Sequence, residues 1–547
     1  MPNALSSCFH MPPRNELRWA ARVAAIVMLL TCLPYLFGLA ITPPGDYYSG
    51  FLTNPDEHNV YLSLMRQAHD GAFFFSDMFT AEPQQGRVIN VLWVALGLSA
   101  RLTHLPLPIV YHLARVLAGW LLLMAIYCLA AQVMARVGAR RAALLLTATA
   151  SGLGWLWQSG PGQPNPVDFG PGLVMPEAIT FLTLLLNPLF AFSVFLLLVL
   201  YLATAHAFTT GSVRAALLAG AAGLVLGSIH SYDVIPAAAI LGAFLIYLLA
   251  TRRARGRAVL LALLIAAIAA PALLYQLWLQ RTGEISILVK AVNQPPSPGP
   301  LFVALGFGIP LAFAAVGLLR AVRGNDWARL LALWLALGCA LVYAPISFQR
   351  KLIEGLHVPI CLLAALAIAP LWELRPRRAA FVTALLIVLA LPSNAFFVRR
   401  GMRDLAENNR SYLANLMPPL YLNADQRAAL RVLNEQAGRR DVLLGNSLLS
   451  NYAPSLSGVK AYFGHWSETP DFAHKIGEYS WFLRDSMPDA ERESFAHTRG
   501  ITYVLREQML DALYLPAGEA GFDATRSPWL EPVFAQGTVT IYRVKEH

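Results

Sequence analysis

Charge is what this sequence lacks most. Only 14% of its 547 residues are Asp, Glu, Lys or Arg, against about 25% in an average soluble protein. That shortage excludes an ordinary soluble enzyme carrying one anchor. Cysteine is scarce as well. The five are Cys8, Cys32, Cys128, Cys339 and Cys361, four of them inside apolar runs and none beyond residue 397. Neither a disulfide framework nor a metal-type cysteine spacing can be drawn from them. A glycine-rich phosphate loop is missing too, since Gly445-Asn446-Ser447 is far too little for a nucleotide site. No internal repeat of the kind common in transporters is visible.

What is present is long apolar runs. Hydrophobic residues make up 56% of the chain, and runs of about 18 residues or more, enough to cross a hydrocarbon core about 30 Å thick, recur along the first 400 positions. Eleven spans are expected: 19–41, 110–134, 142–158, 187–208, 213–229, 233–250, 258–279, 301–319, 328–344, 355–372 and 379–397. The first lacks a small-residue cleavage site and reads as a retained span rather than a signal peptide.

The net charge of +10 invites a nucleic-acid reading until it is mapped. From residue 398 onward there are 17 Lys+Arg against 18 Asp+Glu, so the whole excess lies in residues 1–397. It sits in alternate short loops, with Arg136, Arg140 and Arg141, then Arg214, then Arg252, Arg253, Arg255 and Arg257, then Arg320, Arg323 and Arg329, then Arg375, Arg377 and Arg378. That is the bias of cytoplasmic loops. It implies a cytoplasmic N-terminus, an extracytoplasmic region after residue 397, and no nucleic-acid partner. Residues 88–103 are apolar enough to tempt a span assignment, but a span there would reverse every later loop. They are expected to form a helix in or on the outer leaflet, and 176–186 to do the same.

The expected fold is therefore a polytopic α-helical membrane protein in two domains. Residues 1–397 form the membrane domain with a first outer loop at 42–109, and 398–547 form an extracytoplasmic α/β domain. In the latter, helices are expected at 425–438 and 471–483. Strands are expected at 441–445, 460–464, 501–505 and 538–544, forming a partly parallel sheet.

Three groups of residues offer chemistry. Asp56 and Glu57 follow the first span in Asn54-Pro55-Asp56-Glu57-His58-Asn59. One carboxylate could take a proton from an acceptor hydroxyl attacking a sugar carbon, and the other could bind acceptor, metal or sugar hydroxyl. The plainer reading is an acidic loop with a helix cap at Asn54 or Asp56. Gly227-Ser228-Ile229-His230-Ser231-Tyr232-Asp233 forms a tight outer turn. Ionisable residues there are costly and often functional, so His230, Tyr232 and Asp233 are candidates for substrate or for a metal. A polar turn satisfying its own backbone is the alternative. In Ser347-Phe348-Gln349-Arg350-Lys351-Leu352-Ile353-Glu354-Gly355-Leu356-His357, Arg350 and Lys351 break the charge bias of an outer loop. Arg gives bidentate phosphate contacts and Lys a point charge, although lipid headgroups would suit them too. His357 joins them as a substrate-binding candidate, with Arg281 and Lys290 weaker ones beside Pro295-Pro296-Ser297-Pro298-Gly299-Pro300, a flap or a stiff connector. Glu177 suits a helix first turn. His465 and Glu468 suit a loop that caps the next helix, or an acceptor contact. Trp155, Trp157 and Trp278 suit interfacial belts.

The first-loop stretch Asp56-Glu57-His58-Asn59-Val60-Tyr61-Leu62, followed by Arg66-Gln67-Ala68-His69-Asp70-Gly71, an amphipathic segment and a span, resembles the GT-C superfamily of integral-membrane glycosyltransferases. The resemblance covers topology over nearly 400 residues and sequence over about 50. It implies a cytoplasmic N-terminus, a long first outer loop with an acidic pair, in-plane helices and sugars taken from polyprenyl-phosphate lipids. The expected activity is then inverting transfer of such a sugar to an acceptor hydroxyl at the extracytoplasmic face of a bacterial-type inner or plasma membrane. Asp56, with Glu57, would be catalytic, and Arg350 and Lys351 would hold the departing phosphate. The acceptor is left open among lipid, polysaccharide and protein. A divalent metal is compatible with these residues but not required. The rival expectations are a transporter or flippase of lipid-linked or anionic substrates, and a non-catalytic protein of envelope assembly.

Overall fold

The computed structural model describes residues 9–157, 175–285 and 296–545, apart from the side chains of residues 411, 412 and 414. Cys8, Lys290 and the beginning of the proline-rich flap lie outside them. Long stretches of Leu, Ala, Val and Phe fold as helices, which satisfy every backbone group internally, as a lipid environment demands. Among the described residues, eight helices are long and apolar enough to cross a membrane: Arg14–Ala40, Leu107–Val133, Pro188–Thr210, Ser231–Ala250, Gly256–Arg281, Pro300–Arg323, Gln349–Leu374 and Pro376–Ala406. The chain is an integral, multi-pass membrane protein. Three of the eleven expected spans fall on shorter helices, Val137–Thr149, Val213–Ile229 and Asp326–Leu341. The tempting segment at 88–103 is a helix over Val91–Thr103. Its 13 residues reach about 20 Å at 1.5 Å each, the same as Val137–Thr149, so helix length does not separate the two.

The chain forms two compact units that alternate along the sequence. One comprises Met1–Leu33, His112–Leu277 and Gln294–Arg400; the other comprises Pro34–Tyr111, Trp278–Asn293 and Gly401–His547. The first outer loop thus shares a unit with the C-terminal region.

The first unit is helical. Small residues let its helices touch backbone to backbone, since apolar lipid supplies no hydrophobic drive between helices. A Cβ at Gly317 would stand 1.9 Å from the Leu363 carbonyl oxygen, so only glycine fits where the Pro300–Arg323 helix crosses its neighbour. Two buried ionisable groups near the first span are matched. Arg115, 1% exposed, donates to Thr31 Oγ1 and the Leu184 carbonyl at 2.8 Å each, and Glu16 pairs with Arg140 at 3.0 Å.

The second unit is built on a five-stranded sheet. Its strands run in the order Lys460–Ala461, Val442–Leu444, Tyr503–Glu507, Val539–Val544, Leu530–Gln536. The first three are mutually parallel and the last two join antiparallel. Side chains alternate between faces. Leu443, Tyr503, Leu505 and Ile541 face a core shared with Ala429, Leu430 and Leu433 of the Ala424–Gln436 helix. Val442, Leu444, Val504 and Tyr542 face one shared with Tyr479, Phe482 and Leu483 of the Phe472–Leu483 helix. The Leu530–Gln536 strand was not expected. It contains Pro532, which a sheet tolerates at its edge, and the register shifts there between Pro532 and Phe534.

The first loop packs into this unit. Tyr47 and Tyr48 pair antiparallel with Leu422 and Tyr421. The Pro55–His69 helix lies against Val91–Thr103, with Tyr61 stacked on Trp93 at 4.9 Å between ring centroids. On its other side Asn59 Nδ2 donates to Asn451 Oδ1 at 2.7 Å, and Arg66 donates to Asn434 Oδ1 at 2.7 Å.

Candidate functional site

In each unit one cluster of ionisable side chains contains candidate residues. In the loop unit, Asn54 takes the left-handed conformation (φ 47°) and Pro55 opens the helix, so Asp56 and Glu57 fall in its first turn. The Asn54 side chain makes no cap bond; its carbonyl accepts instead from His58 Nδ1 at 2.8 Å, while the His58 ring lies 4.3 Å from that of Phe51. Asp56 Oδ1 is buried with no hydrogen-bond partner. Burial pushes the Asp56 carboxyl up to about 6, against the downward pull of the backbone N–H groups of Glu57 and Asp56. A carboxylate in that range is ionised at neutral pH yet basic enough to take a proton.

Opposite them stands His465, from the loop after the Lys460–Ala461 strand. Its Nε2 is 3.9 Å from Asp56 Oδ2 and 4.0 Å from Glu57 Oε1. The loop is pinned by Thr469, whose Oγ1 accepts from the Gly464 and His465 N–H groups and donates to the Phe79 carbonyl at 2.8 Å. Burial holds the His465 imidazole down at about 3, so it is neutral and these separations are not ion pairs. Sequence reasoning weighed His465 as part of a loop cap or as an acceptor contact, without linking it to Asp56 and Glu57. Its aim at the acidic pair depends on strand pairing some 400 residues downstream.

In the helical unit, Val213–Ile229 ends at His230, a short turn covers Ser231–Asp233, and the next helix begins at Val234. Asp233 starts that helix without capping it; its carboxylate accepts from His230 Nδ1 at 3.1 Å instead. Glu354 Oε2 lies 3.2 Å from the same nitrogen but at no hydrogen-bonding angle, and neither Glu354 oxygen has a hydrogen-bond partner. Asp233 and Glu354 are 1% and 3% exposed. One ligand atom from each of His230, Asp233 and Glu354 lies within 4.8 Å of the other two, the spacing of a cation site. Glu354 was missed as a candidate. The signal was an acid one residue before Gly355, whose φ of 75° turns the chain into the His357–Leu374 helix and sets that carboxylate inward.

Of the remaining candidates, those of the Arg350 turn adjoin the His230 turn. Lys351 sits 4.7 Å over the Tyr232 ring, which meets Phe348 at 5.0 Å. Arg350 shares the Gln349–Ile353 turn, half-buried, its Nε without a hydrogen-bond partner. His357 points into the helix packing, with Nδ1 at 3.0 Å from Thr180 Oγ1 and Nε2 at 3.3 Å from Cys361 Sγ. Arg281 is exposed at the end of its helix. Glu177, half-buried, lies in a turn packed on the Arg350 turn.

No protein-family model and no curated protein sequence matches this chain. Solved structures do. The arabinofuranosyltransferase AftD from Mycobacteria aligns over 99% of this chain and 40% of its own, at 16% identity and TM-score 0.55. ArnT from Cupriavidus metallidurans, bound to undecaprenyl phosphate, aligns over 97% of this chain and 98% of its own, at 13% identity and TM-score 0.52. The archaeal oligosaccharyltransferase AglB from Archaeoglobus fulgidus aligns over 91% of this chain and 71% of its own, at 14% identity, with a TM-score of 0.48 that is too low to bear on the fold. At such identities the likeness is one of architecture: this chain has the fold of the GT-C membrane glycosyltransferases.

Proposed function

We propose that the protein is a membrane glycosyltransferase that moves a sugar from a polyprenyl-phosphate carrier to an acceptor hydroxyl at the extracytoplasmic face, by way of the eleven-span topology. The carrying observation is Asp56: a helix-start carboxylate raised to about 6 by burial, with one oxygen left without a partner. The fold shared with ArnT, solved with undecaprenyl phosphate, supports the carrier class.

In this reading Asp56 takes the proton of the acceptor hydroxyl as its oxygen attacks the anomeric carbon from the side opposite the phosphate. The new C–O bond forms, the carbon–phosphate-oxygen bond breaks, and the electron pair leaves on the phosphate, inverting the sugar. Glu57 keeps the pair anionic. Arg350 and Lys351 bind the departing phosphate, Arg350 through its unengaged Nε and Lys351 from its place over Tyr232. Charge grows on the phosphate in the transition state, so cations placed there act on the rate. His230, Asp233 and Glu354 fit a divalent cation, because two buried carboxylates around one imidazole leave Glu354 with no proton donor. Such an ion would supply positive charge for phosphate.

The test uses full-length protein in lipid nanodiscs. It should bind undecaprenyl phosphate and release it from an undecaprenyl-phosphate sugar, and a protein that does neither across a panel of such sugars is not this enzyme. Tags after residue 397 should report an extracytoplasmic location, and tags near Arg255 a cytoplasmic one.

A further inference from the structure

His465 has its chemistry fixed by its own backbone. Its Nδ1 accepts from the N–H groups of Ser467 and Glu468, each at 3.2 Å. A neutral imidazole that accepts at one nitrogen carries its proton on the other. The proton is therefore on Nε2, and that N–H is buried with no hydrogen-bond partner, on a side chain 0% exposed. A buried donor left unmade is rare and calls for an explanation.

The nearest acceptors are Asp56 Oδ2 at 3.9 Å and Glu57 Oε1 at 4.0 Å. Both are too far for a direct bond, but an oxygen about 2.8 Å from each partner spans such a gap. A metal ion does not suit this place, since a protonated Nε2 has no lone pair to offer. What suits it is a group that accepts one hydrogen bond and donates another, which is an alcohol hydroxyl.

We propose that His465 is the acceptor-positioning residue: its Nε2–H donates to the oxygen of an incoming alcohol hydroxyl while that hydroxyl donates to Asp56. This rests on the transferase reading above and names the acceptor subsite within it. With one lone pair held by His465 and its proton by Asp56, the hydroxyl has its remaining lone pair aimed by two fixed contacts, which is how orientation lowers a barrier. On attack the proton passes to Asp56, the new C–O bond forms, and the phosphate leaves with the electron pair. His465 gains and loses no proton. Nε2 is closed off from solvent, so the hydroxyl enters by displacing the Glu57 carboxylate, whose side chain is 30% exposed.

Two variants separate positioning from loop support. His465→Asn keeps an acceptor where Nδ1 caps the loop and removes the Nε2 donor. His465→Gln reaches the Nε2 position with an N–H and gives up the cap. With full-length protein in nanodiscs, an undecaprenyl-phosphate sugar as donor and glycerol as the hydroxyl probe, His465→Asn should raise the glycerol KM about tenfold, the worth of one hydrogen bond. The donor KM should be unchanged, and His465→Gln should recover most of the loss. The reverse order, with His465→Asn normal and His465→Gln impaired, would overturn the proposal and leave the transferase reading standing. A second readout does not need turnover: a high-resolution map with glycerol should show an oxygen within about 3.2 Å of Nε2 and of Asp56. That oxygen in a protein that transfers nothing would keep the subsite and sink the transferase reading. Its absence from a protein that does transfer would sink the subsite.

Discussion

The two clusters use the same residue types in opposite ways. In the helical unit, His230, Asp233 and Glu354 are drawn to 3.1 and 3.2 Å around a single nitrogen. The imidazole makes a hydrogen bond to one carboxyl group, Asp233, and leaves both oxygens of the other, Glu354, without a partner. In the loop unit, Asp56, Glu57 and His465 are kept at 3.9 and 4.0 Å, near enough to share a small polar group and too far to satisfy one another. The first arrangement fits a cation; the second fits a neutral molecule that both gives and takes a hydrogen bond. Spacing, rather than residue identity, makes that difference.

The sharpest way to break the comparison is to remove the proposed base, Asp56. Asp56→Asn keeps size and hydrogen bonding but not proton affinity. Transfer should fall about 10²–10⁴-fold, with undecaprenyl phosphate binding and membrane expression retained. Normal transfer by this variant would take Asp56 out of the chemistry. The wild-type pH profile of kcat/KM should rise through about pH 6 and level off above it, as the raised Asp56 carboxyl ionises.

Next in size is the phosphate. Arg350→Ala should lose about one to two decades in undecaprenyl phosphate affinity, the worth of a charge-assisted bond. Arg350→Lys should recover part of that, because the bidentate fork is gone. Arg281→Ala, at an exposed helix end, should change it far less. Equal losses at both positions, read by direct binding to purified protein, would point to general lipid attraction instead.

Glu354→Gln probes the cation side. It removes one of two buried carboxylates without changing shape, and should weaken Mn²⁺ binding by about tenfold or more, followed by calorimetry or electron spin resonance. Undiminished Mn²⁺ affinity would show that this trio binds no metal.

The smallest effect is on stability. The folded Asp56 carboxyl sits at about 6 against 3.8 ordinarily. Its neutral form therefore favours the fold fully below about pH 4, and that contribution is lost as pH rises through about 6. Asp56→Asn should melt higher than wild type at pH 8, by no more than about 3 kcal/mol, with the gap closing near pH 4. A variant that melts lower at pH 8 would mean the carboxylate supports the fold rather than straining it.

Much of the architecture was legible in the chain because lipid and water sort residues by polarity alone. Apolar runs marked the long helices, while in the first loop the sequence suggested no more than a helix cap at Asn54 or Asp56. In the C-terminal region, Val442–Leu444 and Tyr503–Glu507 were visible from their β-branched and aromatic content, whereas Leu530–Gln536 was hidden by Pro532, which only its place at a sheet edge makes acceptable. The acidic pair, the His230 turn and the Arg350 turn could each be picked out, because charge among apolar residues is conspicuous.

Which side chains meet was another matter. Nothing in the order of residues brings His465 to Asp56, or Glu354 to His230, across separations of some 400 and 120 positions. Nor does spacing reveal that His357 turns into the helix packing against Thr180 and Cys361. Local sequence fixes which segments are helices or strands, since propensity and burial act over a few residues. The approach of two distant loops to within 4 Å is decided by packing across a whole unit, and it is this packing that buries Asp56 and raises its pKa, and that leaves the Glu354 carboxyl oxygens without a hydrogen-bond partner.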